Sequence, residues 1–334
     1  MKESEIRPQK LFNQYLQLAK KDNEIFFSDH ARFTEIPCPS CGNEKQMPGL
    51  EKFGFTYVLC TDCASLYLSP RPPAEMYDLY YREAESVKFW STHFYKETAE
   101  ARRKKIYRPR AEIVTELANQ YGLDSANDSL FADIGAGYGL FLEEVEKLNL
   151  FDRVIGIEPS PKMAQVCRER GFDVIQKYVG NTEDITAGAS FATAFEVLEH
   201  VLDPLAFLSS AKRILRRGGL LMFTTLTVSG FDIQVLWEKS KSVYPPHHIN
   251  LLSIDGFRRL VERSGLSLVH LCTPGALDVD IVRNICIENS DVNIPRFAAS
   301  IINAPEKVRT KFQSFLKANN LSSHIRIIAS RLSK

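Results

Sequence analysis

Between Leu130 and Ala329 the chain alternates apolar runs of strand length with stretches whose apolar residues recur at helical spacing. Leu130–Ile134 is followed by Leu140, Phe141, Val145 and Leu148 on one helical face, and Arg153–Ile157, Phe191–Phe195, Leu220–Thr224, Leu266–Leu271 and Ser323–Ala329 repeat the strand pattern. Such alternation predicts an α/β domain with a largely parallel sheet. A helix running through Arg213–Arg217 is expected to stop at Gly218-Gly219, and Ser253 is placed to cap a helix from Ile254 to Ser264. Upstream, about Ala74 to Tyr121 reads as a helical bridge, and Phe53–Leu59 reads as a strand. Residues from about 273 to 320, helical from Val308 to Asn319, must then be an insertion before the last strand. The expected division is 1–73, 74–121 and 122–334.

At about 150 residues per domain, 334 residues make two units or one enlarged one. With 42 basic and 41 acidic side chains the net charge is only +1, so no global field draws the chain to nucleic acid or an anionic membrane. No apolar run approaches the roughly 20 residues that span a bilayer, and Met1–Glu5 lacks the apolar core of a signal peptide. The expectation is a cytoplasmic protein without a membrane partner.

Seven cysteines are unevenly spread, at 38, 41, 60, 63, 167, 272 and 286. An odd total without a secretory signal argues against a disulfide framework. Cys38-Pro-Ser-Cys41 and Cys60-Thr-Asp-Cys63 are two C-x-x-C knuckles 18 residues apart, the spacing of a zinc ribbon. Two knuckles set four thiolates at the corners of a tetrahedron and leave no open position, which is structural zinc chemistry. A redox pair and four unrelated thiols are the other readings. From Ser28 to Ser69 only Arg32, Lys45 and Lys52 oppose Asp29, Glu35, Glu44, Glu51 and Asp62, so a packing or lid role is expected ahead of phosphate binding.

After Leu130–Ile134 comes Gly135-Ala-Gly137-Tyr-Gly139, a glycine turn joining strand to helix. Glycines there let the backbone approach a ligand at the carboxyl edge of a parallel sheet. The dinucleotide fingerprint is G-x-G-x-x-G; here the spacing is G-x-G-x-G, Leu140 stands at the third dinucleotide glycine, and Asp133 precedes the first glycine by two residues. The second strand ends in Glu158, an acid that can accept both hydroxyls of a ribose. Asp133-x-Gly135-x-Gly137-x-Gly139, Glu158, the post-strand-four segment Glu196-Val-Leu-Glu199-His200-Val-Leu-Asp203-Pro204 and the order of elements after it resemble the class I S-adenosylmethionine-dependent methyltransferases. The resemblance implies a Rossmann-like sheet of order 3-2-1-4-5-7-6 with the last strand antiparallel. It implies S-adenosylmethionine held by Asp133, Gly135, Gly137, Gly139, Glu158 and Glu196, with Asn181 and Thr182 of Gly180–Ile185 at the adenine. Glu199 and His200 would start and cap the next helix, and Ala192 departs from the Asp often found near strand four.

A base near neutral pKa would remove a proton from the acceptor. Of seven histidines, only the pair in Tyr244-Pro-Pro-His247-His248-Ile-Asn250 lies in a Pro-stiffened loop after strand five. His248 is the first candidate and His247 the second; ordering of the loop is the structural alternative. The layout, a four-Cys module, then Ser69-Pro-Arg-Pro-Pro73, Tyr77, Tyr80 and Tyr81, then the core, is similar to bacterial methyltransferases with an amino-terminal zinc-binding domain. Some of these methylate nucleotide-linked sugars, so a small-molecule acceptor of that kind is expected. Phe89, Trp90, Phe94 and Tyr95 are either acceptor contacts or core. An RNA or tRNA methyltransferase is the rival, motivated by the ribbon and by Arg102-Arg-Lys-Lys105, Arg108 and Arg110; a non-catalytic zinc scaffold is the second.

Overall fold

A computed structural model of the chain describes residues 3–123, 128–182, 188–289 and 291–332. Its strands are β1 (Gln46–Lys52), β2 (Phe55–Cys60), β3 (Leu66–Leu68), β4 (Leu130–Ile134), β5 (Arg153–Ile157), β6 (Asp173–Ile175), β7 (Ala189–Phe195), β8 (Leu215–Leu226), β9 (Asn250–Leu251), β10 (Ser267–Cys272) and β11 (His324–Ser330). The chain forms two compact units, each assembled from separated stretches. One contains Met1–Ala99, Leu226–Phe257 and Cys272–Ile325; the other contains Glu100–Thr225, Arg258–Leu271 and Arg326–Lys334.

The second unit is built on a seven-stranded sheet of order β10-β11-β8-β7-β4-β5-β6. Counting its strands from β4, this is the expected 3-2-1-4-5-7-6 order read from the other edge. β4 pairs in parallel with β5 and β7, and β7 with β8. β4 and most of β7 are buried, as expected of parallel strands covered on both faces. Phe131, Phe191, Leu220 and Met222 form one core with Val114, Leu117, Phe141 and Val145, the apolar stripes of the helices Arg108–Tyr121 and Leu140–Glu146. Gly218-Gly219 is not a helix stop. The helix Pro204–Ile214 ends earlier, and Leu215 already pairs with Ala189. Gly218 has φ +75 and donates to the Arg331 carbonyl, while the Arg331 N–H donates to Gly219, an antiparallel exchange interrupted by a bulge. A Cβ on Gly219 would lie 2.8 Å from the Ala189 carbonyl oxygen, so close strand approach requires glycine there.

The first unit carries a four-stranded sheet, β1-β2-β3-β9, with all its pairings antiparallel. Phe53 does not belong to a strand: it and Gly54, with φ +51 and +80, form the turn between β1 and β2. The long helix Gln9–Phe26 presents Phe12, Tyr15 and Ala19 to Phe89, Phe94 and Tyr244. Phe89 and Phe94 are therefore core residues. The 273–320 insertion folds as three helices, Asp278–Glu288, Arg296–Ile302 and Glu306–Ala318, around Val282, Ile285, Ile302 and Leu316. Among the described residues no helix is long and apolar enough to cross a membrane.

Candidate active site

In the second unit the segments that follow β4 and β5 fold onto each other. β4 aligns Asp133 with Gly156, and the Gly135 N–H donates to the Ile157 carbonyl at 2.8 Å, so the glycine turn begins beside the end of β5. All three turn glycines have positive φ, a conformation that disfavours a Cβ. A Cβ on Gly135 would meet Val197 at 2.6 Å and one on Gly139 would meet Phe172 at 2.9 Å. Gly137 differs: its missing Cβ points into open space, with no described atom within 4 Å. A ligand can thus reach the backbone at Gly137 while its neighbours are held by packing.

Glu158, only 6% exposed, accepts from the Gly137 N–H at 2.9 Å through Oε2 and from the Ser160 N–H at 2.8 Å through Oε1. Burial raises its pKa, and these two amides oppose the rise. A carboxylate has about four lone-pair sites, so both oxygens keep capacity for hydroxyl donors. Asp133 is buried, accepts from the Thr193 hydroxyl at 2.7 Å, and is pushed up to about 7 chiefly by burial. This arrangement fits a ribosyl cofactor.

Asn181 and Thr182 stand in the segment after β6; the Thr182 hydroxyl donates to the Val179 carbonyl at 2.7 Å, while the rest of the expected adenine segment, Glu183 to Ile185, lies outside the described residues. Glu196, just after β7, has φ +55 and accepts from Arg110 at 2.6 Å and from the Thr224 hydroxyl at 2.8 Å. Glu199 and His200 do not cap a helix. They lie in a single turn, Leu198–His200, and Asp203 caps the helix Pro204–Ile214 by accepting from the Ala206 N–H at 2.9 Å. The physical reason is that Asp203 immediately precedes Pro204, whose fixed φ suits the first helical position. Glu199 is buried, accepts from the Thr225 hydroxyl at 2.7 Å, and is pushed up to about 8 by burial and the nearby Glu196 charge.

The basic cluster that motivated nucleic-acid binding is partnered internally. Arg103 pairs with Glu100 and Glu143, Lys104 with Glu100, Arg108 with Glu144 and Arg110 with Glu196.

In the first unit the four knuckle sulfurs lie within 4.8 Å of one another. Cys38 and Cys63 are 3.6 Å apart and Cys41 and Cys60 are 3.5 Å apart, too far for a disulfide of about 2.05 Å. Bonds of about 2.3 Å to a tetrahedral zinc place sulfurs about 3.8 Å apart, so this donor set fits the ion. The knuckles are alike: Gly42 donates to the Cys38 carbonyl at 2.8 Å and Ala64 to the Cys60 carbonyl at 3.0 Å, both from positive φ.

The same unit holds the histidine pair. His247 sits among Tyr15, Tyr80, Tyr81 and Tyr244, and its Nε2 is hydrogen-bonded to the Tyr80 hydroxyl, whose burial keeps the phenol neutral. His248 is fixed differently, with Nδ1 2.6 Å from the Ser242 carbonyl oxygen and its own carbonyl accepting from the Tyr57 hydroxyl at 2.7 Å. Sequence reasoning missed Tyr57, Arg71 and Ser242 as partners of this loop, and Thr193 and Arg110 as partners of the acids. The only trace was Tyr57 at an inward position of an alternating run.

A sheet of this order, with a glycine turn closed over a strand-end acid, defines a class I S-adenosylmethionine-dependent methyltransferase. Residues 99–271, just over half of the chain, match the model of the methyltransferase domain family, and the chain belongs to that family. It is 27% identical over 174 residues to a ubiquinone biosynthesis O-methyltransferase of Dinoroseobacter shibae, covering 47% of this chain and 69% of that protein. A protein of the same description from Xanthomonas oryzae pv. oryzae is 34% identical over 113 residues, 31% of this chain and 46% of that protein. Among solved structures, geranyl diphosphate C-methyltransferase from Streptomyces coelicolor aligns at 14% identity and a TM-score of 0.47, covering 71% of this chain and 84% of that one. The chain is an S-adenosylmethionine-dependent methyltransferase.

Proposed function

We propose that this enzyme methylates a hydroxyl of a small molecule, a nucleotide-linked sugar or a related biosynthetic intermediate. The observation that carries the methyl-donor half of the reading is the open face of Gly137 beside the buried Glu158 carboxylate. Two relatives described as O-methyltransferases support oxygen as the accepting atom. Bound S-adenosylmethionine supplies an electrophilic methyl group. Glu158 accepts the ribose hydroxyls, Gly137 gives backbone access between the packed Gly135 and Gly139, and Asp133, tied to Thr193 on β7, completes the cofactor-binding end of β4. Asn181 and Thr182 flank the adenine, and Glu196 shapes the segment after β7 through Arg110 and Thr224. His248 takes the proton from the acceptor hydroxyl, with His247 as the alternative base. Cys38, Cys41, Cys60 and Cys63 hold a structural zinc.

The test is a panel of nucleotide-linked sugars and other hydroxylated metabolites incubated with zinc-loaded enzyme and methyl-labelled donor. Label transfer to a hydroxyl of a nucleotide sugar is the expected result. Transfer only to a metabolite of another class, or to RNA, would overturn the acceptor assignment.

A further inference from the structure

The histidine loop is stitched to the four-Cys module from His248 to Ser253. β9, at the end of that loop, pairs with β3, Leu66 opposite Leu251 and Tyr67 opposite Asn250, and the Leu68 N–H donates to the Ile249 carbonyl at 3.0 Å. Arg71, only 5% exposed, reaches Asn250 Oδ1 at 2.9 Å and the Ile249 carbonyl at 3.3 Å. The Ser253 N–H donates to Ser65 Oγ at 3.0 Å, two residues beyond Cys63. Tyr57, fully buried on β2, donates to the carbonyl of His248 itself. β2 ends at Cys60 and β3 begins at Leu66, so the strands that grip the loop emerge directly from the second knuckle.

Residues of the loop itself also hold His248, at its backbone and at its ring. The His248 N–H donates to the Tyr244 carbonyl at 2.9 Å, and Nδ1 lies 2.6 Å from the Ser242 carbonyl oxygen. A carbonyl has no proton to give, so the proton of that bond belongs to Nδ1. The neutral ring then carries its lone pair on Nε2.

We infer that the four-Cys module is a positioning device for the histidine loop, with Tyr57 fixing the His248 backbone and Arg71 fixing Ile249 and Asn250 next to it, while Ser242 sets the His248 tautomer. The inference rests on His248 being the base and adds how it is held. The phenol bond matters because the His248 carbonyl it satisfies is adjacent to the ring being aimed. Misplacing a catalytic group by about 1 Å is enough to slow a reaction roughly 10²-fold.

The test compares Tyr57→Phe with His248→Ala in the full-length, zinc-loaded enzyme. Tyr57→Phe keeps the ring and its packing and removes one hydrogen bond. It should lower kcat about tenfold with the KM for the donor, S-adenosylhomocysteine affinity and zinc content unchanged. Arg71→Lys, which keeps the charge and loses the forked geometry, should act in the same direction. Nitrogen-15 NMR of histidine-labelled wild type should show His248 protonated at Nδ1. If His248→Ala abolishes turnover while Tyr57→Phe leaves kcat unchanged, the positioning role is overturned and the base assignment survives. A proton on Nε2 of the neutral ring overturns the tautomer. Unchanged turnover in His248→Ala removes the base assignment and this inference with it.

Discussion

The glycine cradle and the histidine loop are built in opposite ways. The cradle closes over short distances along the chain: its defining hydrogen bond, Gly137 to Glu158, joins residues 21 apart, and β4 and β5 are neighbours in sequence and in the sheet. The loop is closed by residues far away in the chain, with Tyr57 and His248 separated by 191 positions, Arg71 and Asn250 by 179, and Ser65 and Ser253 by 188. A local turn needs only the right residues at the right spacing. A stitched loop needs another part of the chain already folded against it, and here that part is a module that gathers four cysteine sulfurs within 4.8 Å of one another. The two regions should therefore fail separately when perturbed.

The largest effect should come from the cysteines. Structural zinc contributes apparent binding energies of about 10–16 kcal/mol in small zinc modules, so Cys60→Ser should lose the metal, measured by elemental analysis, and unfold the β1-β2-β3 hairpins. Thermal unfolding should move well below wild type and methyl transfer should vanish, while the variant still binds S-adenosylhomocysteine; loss of donor binding to the same degree would break the comparison. Next, His248→Ala should reduce turnover by roughly 10² or more in a labelled-methyl assay, with zinc content intact. In the cradle, Glu158→Ala removes the proposed acceptor for ribose hydroxyls and the partner of the Gly137 and Ser160 amides. Hydrogen bonds to a charged group are worth about 1.5–3 kcal/mol, so calorimetry should register S-adenosylhomocysteine binding weakened by roughly 10-fold to 100-fold.

A separate effect, on stability and not on activity, concerns Glu199. Its carboxyl sits at about 8 when folded, mainly through burial, against about 4.3 in the unfolded chain. The sign follows from linkage: the fold favours the protonated form, so this contribution is complete below the unfolded value and is lost as pH rises through the folded one. Wild-type thermal stability should fall between about pH 5 and about pH 8, and Glu199→Gln, which keeps the shape without the charge, should flatten that fall. An identical pH profile in the two proteins would show that Glu199 does not titrate in the fold.

What could be read in advance follows the same division. The sheet order was legible only through the family resemblance that the glycine turn and the segment after strand four carry; the placement of the glycine turn, Glu158 and the knuckles was legible because each depends on residues close in sequence or on a spacing that few other structures use. Gly218-Gly219 was misread as a stop because a glycine pair ends helices as readily as it serves a bulge, and only the partner strand at Ala189 and Arg331 decides between them. Glu199 was misread as a cap because Asp203-Pro204 competes for that role and wins by adjacency. The histidine pair was visible, but its partners were not: nothing near His248 in the sequence names Tyr57, and nothing near Cys63 names Ser253.

The most direct test of the whole account is parallel measurement of S-adenosylhomocysteine affinity and single-turnover methyl transfer in Glu158→Ala and His248→Ala. The account predicts that the first substitution weakens affinity and the second stops transfer with affinity kept at the wild-type level. If His248→Ala weakened S-adenosylhomocysteine binding as strongly as Glu158→Ala while any bound donor still reacted at the normal rate, the assignment of the loop to proton removal and of the cradle to donor binding would be contradicted.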